Sequence, residues 1–314
     1  RDGESGIITL EFDVADNQTL KSITSFQEMD RFLRDDLDST DANLFGQNNY
    51  TEQSESWSQE VTYNFSGDRL DVLAGAMYFE EELYGQVLVH LTNICALLAP
   101  ELCGTPVGDF LSTGRYEQNG DVDIEAYGLY AEASYQLTEA FKIIAGVRYN
   151  YEERSGTGAF VFDAAGLDVP TNQSEDWSDV TPRLTVEFEP NDNMLLYATY
   201  NQAFKSGVIN TGSTSPALEP ETVDAFEVGL KGSTADGGMR YAISGFYYDY
   251  ADLQISFVDE TSTVSTINAA EAENYGIEVE IDAALSDAFT MDFYATYLSA
   301  EYKEFFNGDY SDGF

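Results

Sequence analysis

Large apolar and polar side chains alternate along this chain in blocks that end at turns, most clearly between about Asp192 and Phe305. One block carries Met194, Leu196, Ala198 and Tyr200; the next Val228 and Leu230; the next Ala242, Phe246, Tyr248 and Tyr250. Two more follow, with Tyr275, Ile277, Val279, Ile281 and Ala283, and then Phe289, Met291, Phe293, Ala295 and Tyr297. Successive side chains of a strand point to opposite faces, so each block predicts a strand with one face in an apolar medium and one polar face. A soluble β-sandwich gives the same alternation, and connection lengths separate the two. Short turns are expected at Ala15-Asp16-Asn17, Ser66-Gly67-Asp68, Leu137-Thr138-Glu139, Pro190-Asn191-Asp192, Thr234-Ala235-Asp236-Gly237 and Ser286-Asp287. Between them lie long polar stretches around residues 30–55, 82–122, 153–176 and 205–220. An all-β, antiparallel transmembrane barrel with tight turns at one rim and long loops at the other produces this asymmetry.

Composition narrows the function classes. Lys and Arg number 14 against 57 Asp and Glu, a formal net charge of −43. Nucleic acid is excluded as a partner, because phosphate neutralisation needs clustered cations. A hydrophobic content of 43%, with 21 Tyr and 20 Phe, is too rich for a disordered acidic chain. Those aromatics suit strands and the interfacial girdles of a membrane barrel. No apolar run reaches the length of a helical membrane span. A mean hydropathy of −0.29 is compatible with a barrel, only half of whose strand residues face lipid.

Ordered motifs carry a family resemblance. Tyr197 to Gly207, ending Phe204-Lys205-Ser206-Gly207 and followed by Asn210, resembles a strand and loop entry of TonB-dependent outer-membrane receptors. Leu218-Glu219-Pro220-Glu221 and Glu227-Val228-Gly229-Leu230-Lys231 resemble the next strand of that family. Phe246 to Tyr250 with Asp252-Leu253-Gln254, then Asn268-Ala269 and Gly276-Ile277-Glu278-Val279-Glu280, continue in order. Upstream, Ser58 to Val61, Ala74 to Phe79 and Ala145 to Tyr149 are similar to its barrel strands, so the resemblance covers nearly the whole chain. It implies that residues 1–314 form about a dozen strands of a barrel of 22, with an N-terminal plug and C-terminal strands lying outside them. It further implies energised uptake of a scarce, bulky nutrient, foremost a ferric siderophore, in the outer membrane of a Gram-negative bacterium. The partners it implies are TonB with ExbB-ExbD, engaged through the plug, and outer-membrane lipid and lipopolysaccharide. A passive porin or surface adhesin is the alternative.

The motif residues read as structural. Glu227, Gly229 and Lys231 alternate with Val228 and Leu230, so the polar set is expected on the lumen side, with Glu227 and Lys231 ion-paired. Gly75, Gly146 and Gly229 are expected where a neighbouring backbone or plug comes close. Pro220 opens a strand, where a missing amide donor costs least. Lys205-Ser206-Gly207 lacks the upstream Gly of a phosphate loop. No enzymatic activity and no cofactor are expected: His90 is the only histidine and lies in the longest loop, without a triad around it. Carboxylate clusters at Glu80-Glu81-Glu82, at Asp35-Asp36 with Asp38, and at Asp309 with Asp312 match no calcium-loop pattern and read as solvated loops. Cys95 and Cys103, close together in the longest loop of an exported barrel, would most simply form a local disulfide. Val87, Leu88, Leu91, Ile94, Leu97 and Leu98 around them suggest a short helix over the mouth. The chain opens Arg1-Asp2-Gly3-Glu4 without a basic and apolar leader, so either a removed signal peptide or an earlier true start is expected, and Phe314 stands in loop composition rather than in a terminal strand.

Overall fold

In the computed structural model, which describes residues 2–35, 45–92, 95, 100–111, 114–213, 215–258, 264–286 and 288–305, the chain is one twelve-stranded antiparallel sheet. The strands are β1 (Asp2–Ala15), β2 (Gln18–Asp35), β3 (Phe45–Ser66), β4 (Leu70–Leu91), β5 (Gly114–Gln136), β6 (Phe141–Phe162), β7 (Leu167–Asn191), β8 (Met194–Lys205), β9 (Glu221–Ser233), β10 (Met239–Val258), β11 (Val264–Ser286) and β12 (Phe289–Phe305). Every strand pairs with its sequence neighbour, so the sheet is an unbroken meander. Among the described residues no ladder joins β1 to β12, and β1 is exposed at every position on both faces.

The turn rim forms where short polar segments permit reversal. Between β9 and β10, Gly237 adopts φ +70°, a left-handed conformation that favours glycine. Asp236 fixes the turn by accepting from the Thr234 hydroxyl at 2.6 Å and from the Gly238 amide at 3.1 Å. Those donors hold its carboxyl below the usual carboxylate range, the Thr234 hydroxyl most.

The outer face between the rims is a continuous apolar band. Leu129 is 57% exposed, Val228 61% and Ile277 53%. A water-soluble protein does not present such a band, whereas a lipid-facing wall requires one. An aromatic row closes it above: Trp57, Tyr78, Tyr127 and Tyr151 touch in succession across four strands, with ring centroids 5.3–5.8 Å apart. Farther along the sheet Tyr200 and Phe226 make another outward aromatic contact, at 4.9 Å. The outward positions from Tyr127 to Tyr135 in β5 span about nine residues, the length that crosses a bilayer as a tilted strand.

Of the four long stretches, 30–55 and 153–176 are mainly strand rather than loop, and 82–122 is strand at both ends. Residues 30–35 belong to β2 and 45–55 to β3; β4 runs on to Leu91 and β5 starts at Gly114; residues 153–162 and 167–176 are the paired ends of β6 and β7. Residues 206–220 are a loop over most of their length. The polar composition was misleading because these strand ends rise above the aromatic row, where their outer face meets water. Val87, Leu88 and Leu91 are therefore strand residues, not a helix; a short helix occurs instead at Pro106–Leu111. Ile94, Leu97, Leu98, Asp36, Asp38, Asp309, Asp312, Phe314 and Arg1 lie outside the described residues.

The block at β10 has the opposite phase to that expected. Ile243 pairs with Leu230 and Val279 on the outer face, whereas Ala242 pairs with Lys231 and Phe246 with Glu227 on the inner face. Phe246 and Tyr248 stack on each other there at 5.0 Å, so their aromatic bulk lines the lumen side and obscured the outward series of Ile243, Gly245 and Tyr247.

Candidate functional site

The segment 206–220 between β8 and β9 folds back onto the inner face. It closes on itself through a bridge between Val208 and Leu218, with amide-to-carbonyl bonds of 2.7 and 3.2 Å. Ile209 and Leu218 are each 6% exposed, and Trp177 of β7 is 9% exposed. Glycines make the room. Gly85, Gly120 and Gly158 stand side by side on β4, β5 and β6, forming a trough in the inner face. A Cβ on Gly120 would strike the Thr211 side chain, and one on Gly158 would strike the Asn119 carbonyl and the Gly212 amide. Thr211 and Gly212 thus lie where any side chain would stand. At Gly207 a Cβ would strike the Trp177 ring and the Leu218 carbonyl.

Side-chain amides latch the loop to strands distant in sequence. Gln173 accepts from the Asn210 amide and donates to the Ser215 carbonyl, both at 2.6 Å. Asn268 does the same for Glu219, accepting from its amide and donating to its carbonyl, both at 2.8 Å. Gln254 donates to the carbonyls of Ser206 (2.9 Å) and Glu219 (3.0 Å), drawing the two ends of the loop together. Glu221 accepts from the Gln254 amide at 3.0 Å and pairs with Lys205 at 3.2 Å. The buried Ser206 hydroxyl donates to Glu152 at 2.8 Å, and Glu152 is held by Arg154 at 2.6 Å. Gln173 and Asn268 each supply the donor and acceptor that a neighbouring strand would otherwise offer, and Gln254 supplies two donors. Asp252, whose φ of +56° lies in the left-handed region, bends β10 at a register shift so that its carbonyl accepts from Asn268 at 2.8 Å.

This node unites Lys205, Ser206, Gly207, Asn210 and Glu221 from the candidate set with Gln254 and Asn268, and Pro220 sits between Glu219 and β9. Phe204 lies next to the node in β8, paired with Thr222. The other candidates lie lower on the inner wall. Glu227 accepts a hydrogen bond from the Tyr197 hydroxyl, and the Lys231 ammonium stands over the Tyr197 ring at 5.3 Å. The expected Glu227–Lys231 ion pair is replaced by this shared tyrosine, whose ring lies flat on Gly229. Glu278 faces the same lumen side, and Gly276 leaves space for the Phe246 ring and the Tyr297 carbonyl. Gly75 similarly receives the Tyr130 ring, while at Gly146 only ordinary contacts occur.

Charge divides between the faces. In the membrane-level wall, Arg148 lies over Tyr130 at 5.5 Å, Lys142 pairs with Glu187 at 2.5 Å and Arg183 with Glu132 at 3.3 Å, all facing inward. The acids crowd the outer face directly above the aromatic row. Glu28, Glu55, Glu82 and Asp123 are consecutive cross-strand neighbours, as are Glu80, Glu125, Glu153 and Asp176. Tyr78, Tyr127 and Tyr151 donate upward to Glu80, Glu125 and Glu153. The run Glu80-Glu81-Glu82 is accordingly not one cluster, because Glu81 points inward and accepts from Ser54 at 2.5 Å. Among the described residues no group of His, Cys, Asp and Glu is arranged to hold a metal ion.

Higher still, Glu117 is 6% exposed. Burial alone would raise its pKa, but donors from Gln86 and Asn119 at 2.8 Å and the nearby Arg115 charge prevail and hold it below the usual range. His90 is an exposed β4 residue opposite Arg115, not a loop histidine. Cys95 and Cys103 are joined in a disulfide with Cα atoms 5.5 Å apart. Gln173, Trp177 and the glycine trough had no local signal in the sequence. Three glycines separated by some 35 residues become neighbours only through strand register.

A family model described as TonB dependent receptor-like, beta-barrel, matches residues 1–313. The chain is 27% identical over 187 residues to the ferric-pyoverdine M114 receptor PbuA of Pseudomonas sp. (strain M114), covering 59% of this chain and 22% of that protein. It is 24% identical over 226 residues to the rhizobactin receptor of Rhizobium meliloti (strain 1021), covering 62% of this chain and 30% of that protein. Among solved structures, the ferric yersiniabactin uptake receptor FyuA from Yersinia pestis superposes with a TM-score of 0.77 at 16% identity, over 96% of this chain and 43% of that one. The copper transporter OprC gives 0.71 at 12%, over 96% and 46%. At such identities the structures establish a shared fold, and the chain spans less than half of either.

Proposed function

The chain belongs to the TonB-dependent receptor β-barrel family, and on that premise we propose that it is the wall segment of an outer-membrane receptor for a ferric siderophore in a Gram-negative bacterium. In this reading residues 1–314 supply twelve strands, and further strands complete the closed wall. The edges at β1 and β12, which no ladder joins among the described residues, support it, since lipid cannot satisfy open backbone donors and acceptors. A plug fills the polar lumen and couples the wall to TonB with ExbB-ExbD, while lipid and lipopolysaccharide contact the outer face. In this reading the chain performs no chemistry of its own, and Lys205, Ser206, Asn210 and Glu221 serve to hold the loop.

Membership of the family carries this reading: it favours a receptor over a passive pore or an adhesin, and a segment pinned by three side-chain amides supplies a fixed wall against which ligand and plug can be held. Ferric-pyoverdine and rhizobactin receptors among the relatives point to iron chelates as cargo. Radiolabelled iron uptake by iron-starved cells tests the proposal. Deleting the gene that carries this chain, or tonB, is expected to abolish uptake of the cognate chelate; uptake that persists without TonB would contradict it.

A further inference from the structure

The wall has a seam between β7 and β8. Their ladder stops at Arg183 and Asn201, whereas β8 stays paired with β9 as far as Lys205 and Glu221. Hydrogen-bonding parity gives the cause. The Glu189 amide bonds to the Ala140 carbonyl at 2.8 Å, and the β6–β7 register runs unbroken from there. Odd residues of β7 therefore turn their backbone groups to β6, and even ones to β8. Pro182 is the first even residue beyond the Leu184–Tyr200 pair, and it has no amide to give. Val180, the next, lies opposite Tyr149, whose partner on β5 is Leu129 of the lipid band, where an open backbone donor is costly. Asp179 covers it, one carboxylate oxygen accepting from the Val180 amide at 2.8 Å. Its other oxygen is buried and has no hydrogen-bond partner among the described residues.

Continued past the seam, the same register sets Phe204 opposite Val180 and Lys205 opposite Asp179. We propose that the seam is a latch with two states. In the open state, seen here, Asp179 caps Val180 and Lys205 pairs with Glu221 at 3.2 Å. In the closed state Val180 and Phe204 exchange backbone hydrogen bonds, and the released Asp179 carboxylate receives the Lys205 ammonium. Closure gives up a pair whose lysine side chain is 57% exposed, which contributes little, and supplies a partner to an oxygen cut off from water. It also moves the root of the 206–220 loop, because Ser206, bonded to Glu152, follows Lys205 directly. Any contact that prefers one position of the loop therefore biases the seam.

Hydrogen exchange at the Phe204 amide, measured in the full-length receptor in bilayers, reads the closed state. Lys205→Gln removes the latch ammonium and is expected to speed that exchange at least fivefold over the native protein. Glu221→Gln releases Lys205 to Asp179 and is expected to slow it, as is Pro182→Ala, which restores the missing amide opposite Gln202. The Tyr200 amide, bonded to β7 in both states, is expected to keep its rate and reports that each variant is folded. If Lys205 served only to hold Glu221, the Lys205 and Glu221 variants would speed exchange at Phe204 alike. That result, or a Phe204 rate unchanged in Lys205→Gln, would overturn the latch.

Discussion

Below the aromatic row and above it, the same strands obey opposite rules. In β5 the outward positions are Tyr127, Leu129, Ala131, Ala133 and Tyr135 at membrane level, but Asp121, Asp123 and Glu125 above it. The inward positions change the other way, from Tyr130 and Glu132 to Ile124, Val122 and Gly120. The pleat does not change: exposure alternates without interruption from Asp121 to Tyr130. What changes is the solvent on the outer face, from lipid to water, and on the inner face, from a polar lumen to a packed loop. A strand that crosses a boundary between solvents therefore inverts its hydrophobic phase without a bulge.

The comparison can be broken first at the packed loop. Replacing Trp177, 9% exposed, with Ala is expected to cost about 3–5 kcal/mol of loop docking, seen as rapid proteolytic cleavage within 206–220 while the membrane band stays protected. Equal resistance of variant and native protein would mean that the upper inner face is not a core. Next, Val279→Arg should destabilise the wall by about 2–4 kcal/mol in denaturant titrations in bilayers, whereas Arg at Asp123, above the row, should be neutral or stabilising by relieving its acidic neighbours. Similar costs at both positions would remove the boundary. Asn268→Ala leaves both polar groups of Glu219 without that partner and should loosen the loop by about 1–2 kcal/mol, read by hydrogen exchange at Glu219. The smallest effect concerns Glu117. Its carboxyl titrates below the ordinary range in the folded protein, so its contribution is complete above the unfolded pKa and is lost as pH falls through the depressed folded value. Glu117→Gln should flatten that acid-side loss; an identical acid profile would show the carboxylate to be energetically idle.

The phase inversion also explains what the sequence could and could not disclose. The blocks at Met194 to Tyr200, Tyr275 to Ala283 and Phe289 to Tyr297 were legible because lipid demands apolar residues on one face, and their register agrees. The ends of β2 to β7 read as loops because, once the outer face meets water, acids replace the apolar series while the inner face mixes glycine with aliphatic and polar residues. Phe246 and Tyr248 misled for a related reason, since bulky aromatics on a lumen face mimic a lipid face. The order of Lys205, Ser206, Gly207, Asn210, Glu221, Gln254 and Asn268 was visible as a resemblance. Their meeting at one hydrogen-bonded node depends on strand pairing, which no local pattern encodes.

The inversion itself is most directly measured along β5. Single cysteines placed at the outward positions 121, 123, 125, 129, 131 and 133 of the bilayer-embedded receptor would be tested with a membrane-impermeant maleimide and a lipid-borne quencher. The bonded Cys95 and Cys103 contribute no background thiol. Positions 121, 123 and 125 are expected to label fully from water, and 129, 131 and 133 to be quenched only by lipid, with the change falling at Tyr127. Uniform aqueous labelling through position 133 would contradict the account, because the apolar band would then face water and the sheet would not be a membrane wall.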